Sequence, residues 1–365
     1  MDQSFSEGSQ AADPCNRRYS QWPVDYDIYD SEADLERWPN LRLVLNDCEA
    51  TIVAAYRKAD EAARCYHRIH RSLVAVATIC GMFAVLFAIL QLTFLTEPVK
   101  NELYTSMFKA GEAVAAVMAL IAVVVGLFAA FSRQWLWQRE KAERYRFLKF
   151  WFMLDVRLWS GLTSQARQDC LRDRVKELST LNKQDLKDWA EEKNEASEDA
   201  PTRVSANIDK KVLQDLIDYY EEKRICYQRQ YFEKQAGRRH PWARFTYIAP
   251  SLFFFLSVVA ALVHFSYEKF SPQSEHSTFS VLMIALAACF PVVGAAVRTL
   301  RSAYEFGRNT LRFRAAANNL ARLSINLYDK KSLLARLNIL HEVEKELRAE
   351  RREWLRLMVD AEWFG

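Results

Sequence analysis

The chain has 365 residues, half of them hydrophobic and 26% charged, with a formal net charge of +4. Nine Gly and nine Pro are too few to supply the turns of a many-stranded sheet, and so small a charge surplus gives no reason to expect a nucleic-acid partner. The apolar residues gather in four blocks with most charges between them, which excludes an ordinary soluble globule and predicts long helices.

Residues 1–45 form a polar, acidic N-terminal arm in which Asp25, Asp27, Asp30, Glu32, Asp34 and Glu36 stand among aromatic residues. The arm lacks the basic, apolar and small-residue succession of a signal peptide, so it is expected to stay on the side where it is made. Its composition predicts a solvated, partly disordered segment, with a partner-docking motif as the sharper alternative.

A first membrane unit is read over 46–190. Its first span covers about 73–95, LVAVATICGMFAVLFAILQLTFL, which is free of charge. At about 1.5 Å per helical residue it is long enough to cross a hydrocarbon layer of roughly 30 Å. A second span follows at about 113–132. The segment 191–206, acidic and broken by Pro201, reads as a linker. A second membrane unit, 207–365, carries spans at about 245–267 and 277–297 and ends in amphipathic helices. Lipid offers no partner to a free amide or carbonyl, so helices are the expected form at that depth.

Basic residues decide the orientation, because Lys and Arg cross poorly during insertion. Arg57, Lys58, Arg64, Arg68 and Arg71 precede the first span, and Arg133, Arg139, Lys141, Arg144, Arg146 and Lys149 follow the second. Arg229, Lys234, Arg238, Arg239 and Arg244 precede the third, and Arg298, Arg301, Arg308, Arg312 and Arg314 follow the fourth. The two connecting loops hold only Lys100, Lys109 and Lys269. The expected fold is therefore an all-α integral membrane protein: four transmembrane helices in two hairpins, tips outward, with long cytoplasmic helical extensions and both termini in the cytoplasm. Trp135, Trp137 and Trp242 are placed to anchor the inner interface.

The chain reads twice through one plan: a basic amphipathic helix, a hairpin, then a long charged helix. The segments YYEEKRICYQRQYFEKQA before the second hairpin, LRFRAAANNLARL after it and the terminal VEKELRAERREWLRLM carry a resemblance. They are similar to the SLATT family of two-helix membrane domains, over roughly 205–365 and, more loosely, 45–190. The resemblance implies bacterial conflict or antiphage effectors that accompany nucleotide-signalling modules and open pores. This chain departs from the single-domain pattern by carrying two hairpins and no recognisable nucleotide-binding domain, so a trigger is expected from another protein or from the cytoplasmic helices.

No Walker or Rossmann glycine loop, HExxH or GxSxG occurs, and no enzymatic role, cofactor or metal is expected. The seven cysteines form no CxxC pair and are read as reduced thiols, Cys80 and Cys289 lying within spans. Gln91, Thr93, Glu112 and His264 lie near the outer ends of spans and form a candidate vestibule, or else mark the membrane boundary. Pro250, Pro291 and Gly294 are candidate hinge residues, since proline removes an amide and crowds the preceding turn. Leu340, Val343, Leu347, Trp354 and Leu357 form a stripe on the last helix, suited to packing within the chain or to assembly between subunits. Glu344 and the charges around it read as a solvated face.

The function expected from these features is a non-enzymatic inner-membrane effector that forms homo-oligomers and permeabilises the bilayer. A membrane-anchored scaffold or sensor that recruits a cytoplasmic protein partner is the alternative.

Overall fold

The computed structural model describes residues 23–94, 102–156, 161–180, 209–270, 278–304 and 306–359, and every regular element among them is helical. Four of the helices are long and apolar enough to cross a membrane. The expectations placed on residues 1–22, on the linker 191–206 and on Lys100 fall outside the described residues.

The chain begins with a turn through Asp25, whose φ of 59° is left-handed, and passes into α1 (Glu32–Arg37). Ser31 and Asp34 start this helix with reciprocal bonds. The Ser31 hydroxyl accepts from the Asp34 amide, and the Asp34 carboxylate accepts from the Ser31 amide at 2.9 Å. The helix stops at Trp38 because Pro39 follows, and Pro39–Leu41 makes a single 3-10 turn. α2 (Arg42–Cys48) then runs through a π-helical segment, Glu49–Val53, into α3 (Ala54–Phe94).

α4 (Glu102–Ala129) ends at Ala130, whose φ of 47° breaks the helix before α5 (Phe131–Leu154). Gln134 Nε2 donates to the Ala129 carbonyl left over at that break, at 3.1 Å. α6 (Ser164–Thr180) follows. α7 (Lys210–Tyr220) is capped by Asp209, which accepts from the Lys211 amide at 2.9 Å. A second π-helical segment, Glu221–Cys226, leads into α8 (Tyr227–Phe270), so each of the two longest helices is preceded by one. The chain continues through α9 (Thr278–Tyr304), α10 (Phe306–Asp329) and α11 (Leu333–Val359).

Two units result, and each draws on sequence from both sides of 191–206. Among the described residues one, termed here the ionic unit, gathers those within 23–62, 136–235 and 313–359; the other, the apolar unit, gathers those within 63–135 and 236–312. In the ionic unit α2 packs on α6, while α7 packs on α11 and on the 3-10 turn. Its core holds Leu41, Leu45, Ile52, Phe150, Phe152, Leu216 and Leu340, all essentially without solvent contact. At ~25 cal/mol per Å2 of apolar surface removed from water, this burial is the main force that folds the unit.

Two expectations need correction here. The acidic arm is not a solvated segment in its described part: Asp25, Asp27 and Asp34 are buried, and Ile28 and Leu35 belong to the core. Their ionic partners lie more than a hundred residues away in sequence, beyond the reach of a compositional reading. The thiol expectation fails at Cys226, which is disulfide-bonded, whereas Cys48, Cys65, Cys80, Cys170 and Cys289 are free.

Candidate functional site

In the apolar unit the long helices bury little of each other. Only 6, 6, 11 and 17% of their most apolar windows are buried inside the chain. Phe128, Leu92, Phe254, Phe255 and Phe265 are among the large apolar side chains left open. α3 meets α4 where Gly111 lets Phe87 approach, since a Cβ there would stand 3.2 Å from the ring.

The proposed vestibule residues occupy two separate contacts. Gln91 Nε2 donates to Glu112 Oε2 at 2.6 Å, joining α3 to α4 and giving the Glu112 carboxyl a partner. Thr93 turns its hydroxyl back onto the Ile89 carbonyl of its own helix, at 2.9 Å. His264 belongs to the other pair of helices, with Nδ1 3.0 Å from Ser280 Oγ and Nε2 3.3 Å from Glu268 Oε1.

Of the hinge candidates, Pro250 and Gly294 lie against each other. A Cβ on Gly294 would stand 3.4 Å from both the Pro250 carbonyl oxygen and Phe253 Cβ, so glycine allows α9 to lie directly against the Pro250 turn of α8. Pro291 has no amide to offer the carbonyl four residues earlier, Ala287. Ser257 of α8 donates its hydroxyl to that carbonyl at 2.6 Å. A break in one helix thereby becomes a bond between two.

The stripe on α11 is spent largely within the chain. Leu340 and Val343 have no solvent contact and Leu347 packs against the same core, while Trp354 and Leu357 are half-buried. Beyond them the buried positions are Leu355 and Met358. Glu344 is not on a solvated face. It is buried, receives Arg224 Nε at 2.7 Å and accepts a short bond from the Tyr220 hydroxyl. Arg348 likewise lies over the Phe147 ring, 4.0 Å from its centroid.

The main polar constellation is one that pattern reading missed: a group of buried charges in the ionic unit, built on the turn at 25–34. Lys149 and Lys223 are fully buried. Lys149 Nζ donates to the Ile28 carbonyl at 2.8 Å, the Asp27 carbonyl at 3.3 Å and Asp30 Oδ2 at 2.8 Å. Lys223 Nζ donates to the Tyr29 carbonyl at 2.9 Å, the Tyr26 carbonyl at 3.2 Å and Asp34 Oδ2 at 2.8 Å. An ammonium has three protons, and each of these has three acceptors. Arg146 bonds Asp25 at 2.7 Å, Glu143 at 2.9 Å and the Tyr56 hydroxyl, while Arg224 joins Asp27 at 3.2 Å to Glu344. Asp27 receives Gln228 on the same oxygen, Oδ2, and its Oδ1 has no hydrogen-bond partner among the described residues.

Burial and charge pull against each other throughout this group. Burial pushes the Asp34 carboxyl up, but hydrogen bonds from Lys223 and Ser31 outweigh it and hold the group below its ordinary range. Glu143 is brought to about 2 because Arg139 and Arg146 overcome its desolvation. Tyr219 and Tyr220 are pushed well above the usual phenol range, first by burial and then by Asp30 and Glu344 respectively, so both stay protonated and donate. Glu221, which has no such cation bonded to it, rises to about 7 through burial and the neighbouring Asp218.

These residues order a polypeptide turn and its carboxylates; nothing among them has the geometry of a nucleophile and base. No group of three His, Cys, Asp or Glu among the described residues is placed to hold a metal ion. A shallow groove between α10 and α11 is lined by Arg322, Asn326, Glu342, Lys345, Glu346 and Arg352, with charges of both signs. No family model, no curated protein and no solved structure matches the chain.

Proposed function

We propose that the chain is a four-span protein of the bacterial inner membrane, with two hairpins whose tips face outward and with both ends in the cytoplasm. It acts as a non-enzymatic effector, of SLATT type, that assembles into homo-oligomers and permeabilises the membrane, in antiphage or conflict defence. The observation that carries this reading is the low mutual burial of the apolar helices, at 6 to 17% of their windows. Surfaces of that size need lipid or further copies of the chain to cover them. A pair of helices encloses no space, so a water path requires several copies.

The basic flanks support the orientation, and the resemblance supports the role. Purified protein reconstituted into dye-loaded vesicles of anionic and zwitterionic lipid tests it. Leakage that rises with the protein-to-lipid ratio is expected; a stable oligomer that never leaks, with or without its cellular partner, contradicts it.

The ionic unit favours a second reading, a membrane-anchored scaffold or sensor for a soluble partner, because its organised polar core exceeds what an anchor needs. Exchanging the four spans for an unrelated four-span anchor separates the two. Activity survives the exchange in a scaffold and disappears in a pore former.

A further inference from the structure

The turn at 25–34 is held in an unusual way. Among the described residues, every hydrogen-bond and ion-pair partner of Lys149 and Lys223 comes from residues 26–34. Take that segment away and two fully buried ammonium groups are left with no acceptor, beside Arg146 and Arg224. The cavity would then be a cationic cleft with aromatic walls: Tyr219 donates its hydroxyl to Asp30 at 2.9 Å, and the Tyr227 hydroxyl oxygen accepts from the Asp25 amide at 2.7 Å. The segment's carbonyls and carboxylates are thus what offsets the desolvation of the two ammonium groups, and any occupant that replaces the segment has to supply the same acceptors or leave the groups to water.

Each ammonium takes two main-chain carbonyls and one carboxylate, which is the chemistry of a peptide rather than of a free anion. The spacing that satisfies it is Asp-x-Asp-x-x-Asp, present here as Asp25, Asp27 and Asp30 with Asp34 one helical turn on. The segment's own grip is largely electrostatic, Ile28 being its fully buried aliphatic side chain. Its backbone is strained at Asp25, where a left-handed φ of 59° persists only while the surroundings enforce it. It also lies ahead of the helices that form the rest of the unit.

We propose that residues 25–34 are a releasable intramolecular ligand, and that the cleft formed by Arg146, Lys149, Lys223 and Arg224 is a receptor for acidic, tyrosine-bearing peptides of the Asp-x-Asp-x-x-Asp type. A peptide of that chemistry, from a partner protein, competes with the chain's own segment. The proposal is independent of whether the membrane helices leak.

The test uses the full chain in detergent and a fluorescent peptide with the sequence of residues 23–36. The triple variant Asp27→Asn, Asp30→Asn, Asp34→Asn weakens the internal ligand. It is expected to bind the peptide about tenfold or more tightly than the unaltered chain does. A peptide carrying the same three Asn residues is expected to bind neither. A variant that keeps its helix content and elution volume but does not distinguish the two peptides overturns the proposal, as does equal displacement of the peptide by inorganic phosphate. Should the variant aggregate, hydrogen exchange on the unaltered protein decides. Amides of 26–35 are expected to exchange about tenfold or more faster than those of 150–154 and 216–220, through a local opening. Equal rates in the two sets, with opening only on global unfolding, show an integral core segment and overturn the proposal.

Discussion

In the apolar unit, polar side chains meet in small groups close to one another along neighbouring helices: Gln91 with Glu112, Ser257 with the Ala287 carbonyl, His264 with Ser280 and Glu268. In the ionic unit Asp27 joins Arg224 and Arg146, and Glu344 joins Arg224 and Tyr220, drawing together segments more than a hundred residues apart. The contrast teaches that the two units obtain their specificity differently. Long apolar helices need only a few short-range bonds to fix a register, whereas a small polar segment must be held by many charges, each of which is ruinous if left alone.

The contrast breaks most sharply at Lys223. Replacing it by Met leaves the Tyr26 and Tyr29 carbonyls without that donor and the buried Asp34 carboxylate without its cation, and the ionic unit should lose about 3 to 5 kcal/mol. Denaturant unfolding followed by tyrosine and tryptophan fluorescence measures it; a loss below about 1 kcal/mol, the range of exposed pairs, would place the ion pairs in solvent. Next in size is Leu340→Ala, which opens a cavity in the same core and should cost about 2 to 5 kcal/mol by the same measurement. Leu357→Ala, at a half-buried position on the same helix, should cost less. Equal effects would mean that the stripe serves an interface between copies instead.

The four long apolar helices are legible from composition because a hydrophobic run of that length has few other uses, and their polar contacts are partly legible. Gln91 and Glu112 were singled out by depth and prove to bond each other, while Thr93 bonds only its own helix. Residue type alone marks Pro250, Pro291 and Gly294 as hinge candidates, and what the structure adds is contact between Pro250 and Gly294. Ser257 escaped notice because a serine in an apolar run is unremarkable until the helix opposite shows which carbonyl Pro291 has vacated. The buried charges were illegible for a stronger reason. Charge patterning along a sequence reports neighbours at three or four residues, so Asp27 and Glu344 looked solvated when their partners were distant.

Two smaller effects sharpen the comparison. Ser257→Ala should destabilise the packing of α8 on α9 by about 0.6 kcal/mol, the size typical of a side-chain hydrogen bond between long apolar helices. In a Pro291→Ala background the restored amide can reach the Ala287 carbonyl, so the same change should then cost close to nothing; a double-mutant cycle in detergent measures the coupling. Glu221→Gln should act through pH. Its carboxyl rises from 4.5 to about 7 on folding, so the folded state binds the extra proton between those values and stability falls as pH increases through that window. The variant should remove this decline, seen as a smaller difference between melting temperatures at the two ends of the window; an unchanged difference contradicts the assignment.

The placement of the apolar helices across a bilayer underlies the functional reading, and thiol accessibility tests it most directly. In a chain whose native cysteines are replaced, single cysteines are placed by Met107→Cys, Lys269→Cys and Ser332→Cys. A membrane-impermeant maleimide applied to intact cells, with the outer membrane made permeable, should label the first two and reach the third only after the inner membrane is opened. Labelling of Ser332→Cys in intact cells, or recovery of the chain in the soluble fraction without detergent, would contradict the account.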